Sequence, residues 1–175
     1  MRVDDRAFPA ALAEVYEVEF EYGEDGGVDY EPFDEFNSAE DTTDWFRAWT
    51  GNPEVDGDAF RVFGRDGTGG YAAFWLVREG QPLAEQPVVF LGSEGETGVV
   101  ARNLADFLWL LAGGLGPLEA VDEYVNDGVT PEPNEEMTEI AQRHAPEARK
   151  SAAEVVAAAR KEFTGFEQTM DALCR

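Results

Sequence analysis

Phe60-Arg61-Val62-Phe63, Gly64-Arg65-Asp66-Gly67-Thr68-Gly69-Gly70 and Tyr71-Ala72-Ala73-Phe74-Trp75-Leu76-Val77 are three consecutive pieces whose reading decides the fold. The first and third are short runs rich in aromatic and apolar side chains, and the middle one is a glycine turn; together they predict a β-hairpin with a loop longer than two residues. Tyr71–Val77 barely alternates, which predicts a central strand covered on both faces. Working outward, Val88-Val89-Phe90-Leu91 supplies a third strand and Gly98-Val99-Val100-Ala101 a short fourth. A helix follows, with Asn103 as N-cap, Asp106 in the first turn and Gly113-Gly114 at the end. Leu104, Phe107, Leu108, Trp109, Leu110 and Leu111 leave it almost no polar face, and it is too short to span a bilayer. It therefore reads as a buried core helix, with Trp109 expected beneath the sheet.

On the N-terminal side, a weak helix is expected around Pro9–Glu14. Val15-Tyr16-Glu17-Val18-Glu19-Phe20-Glu21-Tyr22 alternates apolar and acidic residues and predicts a strand with one wet face near a sheet edge. Glu24-Asp25-Gly26-Gly27 is a turn, and Val28–Phe36 suits an irregular strand that Pro32 confines to an edge. Ser38 caps a helix whose apolar face is Trp45, Phe46 and Trp49 and which Gly51 and Pro53 end; at i,i+4 spacing, Trp45 and Trp49 read as core.

Beyond the core, Pro117 opens a helix over Leu118–Val125 that Asn126-Asp127-Gly128 stops. Asn134 caps another, which ends before Pro146, and Ser151-Ala152-Ala153-Glu154 is a capping box. Thr164-Gly165-Phe166-Glu167 is a second such pattern, so the C-terminal stretch reads as one helix or as two with a kink. The expected fold class is α+β: a mostly antiparallel sheet of four to six strands wrapped by helices, in one domain over residues 1–175. Residues 58–116 form its core, and residues 117–175 supply C-terminal helices.

The charge is lopsided. The net formal charge is −24, and residues 1–58 carry 18 acids and 3 bases, residues 59–116 carry 6 and 4, and residues 117–175 carry 13 and 6. The near-neutral part is the core unit. Such a field repels nucleic acid and anionic lipid and favours a protein partner with a basic surface. The single cysteine, Cys174, forms no internal bridge and sits next to the C-terminus, where fraying argues against a reactive thiol. No long apolar run or apolar leader is present, and a reducing cytoplasm is the expected location.

Chemistry is sparse. The sole histidine, His144, lies near a helix C-terminus, where it suits the helix dipole better than catalysis. Cysteine and histidine are too few for a zinc site, and Gly92-Ser93-Glu94-Gly95 lacks the spacing of a nucleophile elbow. The Gly64–Gly70 loop joins strand to strand, whereas dinucleotide and Walker phosphate loops lead into a helix N-terminus. No lysine precedes Lys150, which removes a kinase-type loop as well. Asp56 with Asp58, or Glu94 with Glu96, are acid pairs of the kind used in hydrolysis or cation binding, although no calcium-loop pattern accompanies them. No cofactor or metal is expected.

Phe63-Gly64 with its glycine turn, Phe74-Trp75-Leu76, Val88-Val89-Phe90-Leu91 followed by Glu94, and Asn103-Leu104-Ala105-Asp106-Phe107-Leu108 stand in linked order. In that order they resemble the SUKH superfamily of cell-wall-assembly regulators and bacterial toxin-immunity proteins. The resemblance covers roughly residues 58–116; the front of the chain departs from it, since Tyr30-Glu31-Pro32-Phe33 and the Trp45 helix stand where the family carries a Leu-Pro and Asn-Gly signature. It implies an α+β fold and binding without catalysis, in many bacterial members the neutralisation of a cognate nuclease or deaminase toxin. A housekeeping regulator or scaffold of the same fold is the alternative, with a small carboxylate-based enzyme third. Loops at one end of a sheet are favoured recognition positions, and the candidate partner-binding residues are Asp56, Asp58, Asp66, Tyr71, Glu94 and Glu96.

Overall fold

In the computed structural model, which describes residues 5–23, 26–122 and 131–175, the apolar runs pair as one antiparallel sheet. A two-residue ribbon precedes it: β1 (Tyr22–Gly23) pairs with β2 (Gly26–Gly27), and Glu24-Asp25 of the expected turn lie outside the described residues. The sheet itself runs β3 (Glu31–Pro32), β4 (Phe60–Arg65), β5 (Tyr71–Trp75), β6 (Val88–Leu91) and β7 (Thr97–Ala101), and spatial order equals chain order. Seven helices pack on it among the described residues: α1 (Ala10–Val15), α2 (Ala39–Thr50), α3 (Leu104–Ala112), α4 (Pro117–Val121), α5 (Glu135–His144), α6 (Ala152–Glu162) and α7 (Phe166–Asp171). The fold class is α+β, as the patterning predicts.

Strands β4 to β7 divide their side chains between two cores. Phe63, Ala72, Phe74, Val88, Phe90 and Val100 pack with α1, α3 and α5 through Leu12, Val15, Phe107, Leu108, Met137 and Ile140. Phe60, Val62, Ala73, Val89, Leu91 and Val99 face the other way, onto Phe46 of α2, Ala159 of α6 and Phe166 and Met170 of α7. The central strand β5 is therefore covered on both faces, and each large apolar side chain so buried contributes about 1.5–3 kcal/mol. Helix α6 joins the two sides, with Val155 in the first core and Ala159 in the second. A bulge between Val62 and Gly64 changes register on β4 and brings Gly64 opposite Ala72. Gly64 then lies beneath Tyr30, and a Cβ there would overlap the Tyr30 hydroxyl.

Local signals set most of the helix ends. Ser38 accepts from Asp41 N, Asn103 from Asp106 N and Asn134 from Met137 N, and the Ser151–Glu154 capping box is complete. Gly51 closes α2 in the left-handed region at φ 64°. The C-terminal stretch is two helices, but the N-cap of α7 is Gly165, which has no side chain to cap with, so the second predicted box does not form. Residues 123–125 of the predicted helix after Pro117, and its Asn126-Asp127-Gly128 stop, lie outside the described residues.

Three expectations are corrected. The alternating run from Val15 to Tyr22 forms no strand before Tyr22, the first residue of β1: α1 ends on Val15 and a turn follows, with Leu12, Val15 and Val18 buried at a spacing of three. Packing chose that helical spacing over the period of two. The strand expected over Tyr71–Val77 ends at Trp75, and Val77 is 43% exposed. Trp109 is buried, at 4% exposure, but its Nε1 donates to Ala145 O at 2.8 Å and Arg149 lies over its ring. It thus packs toward the segment after α5, while Phe107 meets Phe63 of the sheet.

Charged and polar pairs tie the elements together. Asp106, 1% exposed, accepts from Arg102 Nε at 2.7 Å and Lys150 Nζ at 2.9 Å, tying α3 to the segment before α6. His144 and Arg143 both meet the Glu14 carboxylate and join α5 to α1. The C-terminus is docked: Arg175 N donates to Thr50 O at 2.9 Å and Asn52 Nδ2 to Leu173 O at 2.9 Å, while the Cys174 side chain stays exposed. No helix among the described residues is long and apolar enough to cross a membrane.

Candidate functional site

Antiparallel order carries the β4–β5 and β6–β7 connections to the same end of the sheet. The first connection is built on Asp66. Its carboxylate accepts from Thr68 N at 3.0 Å, Gly70 N at 2.8 Å and Thr68 Oγ1 at 2.9 Å, an aspartate turn that closes on itself. Asp66 is consequently 2% exposed. It organises the turn and presents no free carboxylate to a partner, which corrects its place among the surface candidates.

The second connection, Gly92–Glu96, is tied to the first. Ser93 Oγ donates to Thr68 Oγ1 at 2.9 Å, and Gly92 N donates to Glu96 O at 2.6 Å. Glu94 is exposed and Glu96 half-buried. Helix α2 is pinned beside them, since Trp49 Nε1 donates to Gly92 O at 2.7 Å. From there an aromatic row crosses the surface. Trp49 stacks with Trp45 at 6.1 Å, Trp45 stacks on Tyr71 at 4.3 Å and 18°, and Phe33 meets Tyr71 edge-on at 6.0 Å. Trp45, Trp49, Tyr71 and Phe33 are all half-buried, each packed on the second core while keeping part of its ring in solvent.

Asp56 and Asp58 do not join this group. They precede β4, whereas the Asp66 turn follows it, so the length of the strand separates them. Both are exposed, and Asp58 N donates to Asp56 Oδ1 at 3.0 Å in a local turn beside the first half of α2, where Gly57 N donates to Thr43 Oγ1 at 3.0 Å. The structure therefore brings together Tyr71, Glu94 and Glu96, buries Asp66 beneath them, and leaves Asp56 with Asp58 at the far end.

Trp45, Trp49 and Phe33 belong to the surface and were not among the sequence candidates. The i,i+4 spacing of the two tryptophans is visible in the sequence, but a half-buried stack and a buried one share that spacing. Below the turn, Asp29 Oδ1 accepts from Gly67 N at 2.9 Å, and Glu119 Oε1 accepts from Asp29 N at 2.6 Å. Burial pushes the Glu119 carboxyl up from its ordinary 4.5 to about 7, against the lowering effect of the Asp29 N–H. Among the described residues, no group of three histidine, cysteine, aspartate or glutamate side chains is placed to hold a metal ion. Comparison of the chain with family models, curated proteins and solved structures finds no match.

Proposed function

We propose that this protein is a non-enzymatic binding module for a protein with a basic surface, most simply an immunity-type protein that neutralises a toxin. The observation that carries the proposal is the convergence of Glu94 and Glu96 with the Tyr71–Trp45–Trp49 row at one end of the sheet. Partly exposed tryptophan and tyrosine are the side chains that most often dominate interface energetics, and a fringe of acid selects a cationic partner and speeds its encounter. The net charge of −24 supports the same choice, and so does the resemblance of residues 58–116 to the SUKH superfamily, whose bacterial members include toxin-immunity proteins. A housekeeping regulator of the same fold would use the surface in the same way.

The test is affinity capture from the native cells with three baits: the wild type, Glu94→Lys/Glu96→Lys, and Asp56→Lys/Asp58→Lys. A basic protein retained by the wild type and the second double variant, and lost with the first, is the expected result. Retention by Glu94→Lys/Glu96→Lys, or capture of an acidic protein alone, overturns the assignment. Growth rescue on co-expression of the captured protein with its binder separates immunity from housekeeping.

A further inference from the structure

The acid-and-aromatic run after α1 does not form the strand its pattern suggests; instead it walls a cleft. Residues 16–20 face Tyr30 and Glu31 across an open depression of about 280 Å³. Its floor is aromatic: Phe20 meets Tyr30 at 5.3 Å and Tyr16 at 6.1 Å, both nearly edge-on. The hydroxyls of Tyr16 and Tyr30 bond to each other, so the rings are held in place by one another. Glu17 and Glu19 stand exposed on the wall, and no cation among the described residues lies within ion-pair distance of either. Glu31, also exposed, is held by Arg65 in a two-point contact at 3.0 and 3.2 Å.

We propose that this cleft is a second docking point, one that receives an arginine side chain of a protein partner. A guanidinium is planar, stacks on aromatic faces and bonds carboxylates in a fork, so it matches an aromatic floor with two carboxylates on its wall. The protein places its own arginines over aromatic rings: Arg61 lies 4.6 Å from the Phe36 ring centre, Arg78 5.4 Å from Phe163 with Glu162 as its carboxylate partner, and Arg149 5.5 Å from Trp109. The cleft offers that chemistry with Glu17 and Glu19 still uncompensated. Adding a strand at the neighbouring sheet edge is disfavoured, because Pro32 of the edge strand β3 has no N–H to offer. The proposal shares with the binding reading only the premise that the partner is a protein, and it concerns a different surface from Glu94 and Glu96.

The test titrates the full-length, isotope-labelled protein with acetyl-Gly-Arg-Gly-amide and with its neutral citrulline counterpart, following amide and ring resonances by NMR. Saturable shifts confined to residues 16–20 and 30–31 are expected, with the citrulline peptide weaker by roughly five- to tenfold. Glu17→Gln/Glu19→Gln changes only exposed side chains and should weaken the arginine peptide by roughly three- to tenfold while leaving the spectrum folded. Phe20→Ala should abolish the shifts. Equal binding of citrulline, no response to the glutamine variant, or no shifts up to the solubility of the peptide overturns the proposal. Shifts confined to residues 92–96 overturn it too, while leaving the turn-end surface intact; loss of capture by Glu94→Lys/Glu96→Lys is read independently of either result.

Discussion

Glu119 is a buried acid that supports the β4–β5 turn at one remove, through Asp29. The residue is 3% exposed, and its carboxylate receives the Asp29 N–H and so supports the residue that in turn holds Gly67. Desolvation raises its pKa to about 7, above the ordinary 4.5, so the folded protein binds this proton more tightly than the unfolded chain does. The stabilisation that follows is complete below about pH 4.5 and is lost as pH rises through about 7. Glu119→Gln keeps an acceptor for Asp29 N without the charge. Its stability relative to the wild type should therefore grow between those two pH values and level off above them, by on the order of 2–3 kcal/mol. Urea denaturation across that range reads the difference directly, and the variant-minus-wild-type form cancels the other 36 acids. A difference that stays flat with pH would remove Glu119 from this role.

At the scale of elements, the glycine turn between β4 and β5 behaves as a unit because one carboxylate holds it closed. Asp66→Ala leaves Gly70 N, which is buried, without its side-chain acceptor, and it should cost about 1–3 kcal/mol in urea unfolding. Asp66→Asn, which retains an acceptor oxygen, should recover part of the loss. Glu94→Gln in the neighbouring turn is exposed and should change stability by less than about 0.5 kcal/mol. If Asp66→Ala proved as neutral as Glu94→Gln, the turn would not depend on its aspartate. The same contrast explains why acids that look equivalent in a chain carrying 37 of them divide into scaffold and surface.

For the whole molecule the dominant quantity is charge. With 37 acids against 13 lysines and arginines, the folded state holds many like charges close together, and self-repulsion opposes compactness. Raising ionic strength from about 0.01 M to about 0.15 M shortens the Debye length from about 30 Å to about 8 Å. The melting temperature should rise by a few degrees over that interval, while association with a basic partner slows. A melting temperature that falls with salt would mean that the exposed ion pairs, such as Arg6–Glu35 and Arg65–Glu31, outweigh the general repulsion.

Amino-acid order by itself determined the α+β class, four of the five sheet strands to within a residue or two, and the caps at Ser38, Asn103, Asn134 and Ser151. Those features rest on local chemistry: apolar period, glycine turns, and side chains that bond the backbone three residues away. Tertiary structure alone decided the rest. The Val15–Tyr22 run carries a strand's alternation, yet Leu12, Val15 and Val18 found burial at a helical spacing, and no local signal ranks one burial against the other. Trp109 was legible as core, but its side of α3 depended on where Ala145 and Arg149 came to lie. Among the site residues, Tyr71, Glu94 and Glu96 meet because strand order follows chain order, whereas Asp56 and Asp58 lie a strand's length away. Exposure separated Asp66 from its neighbours, because a carboxylate's accessibility depends on which donors surround it, and those arrive only when the turn closes.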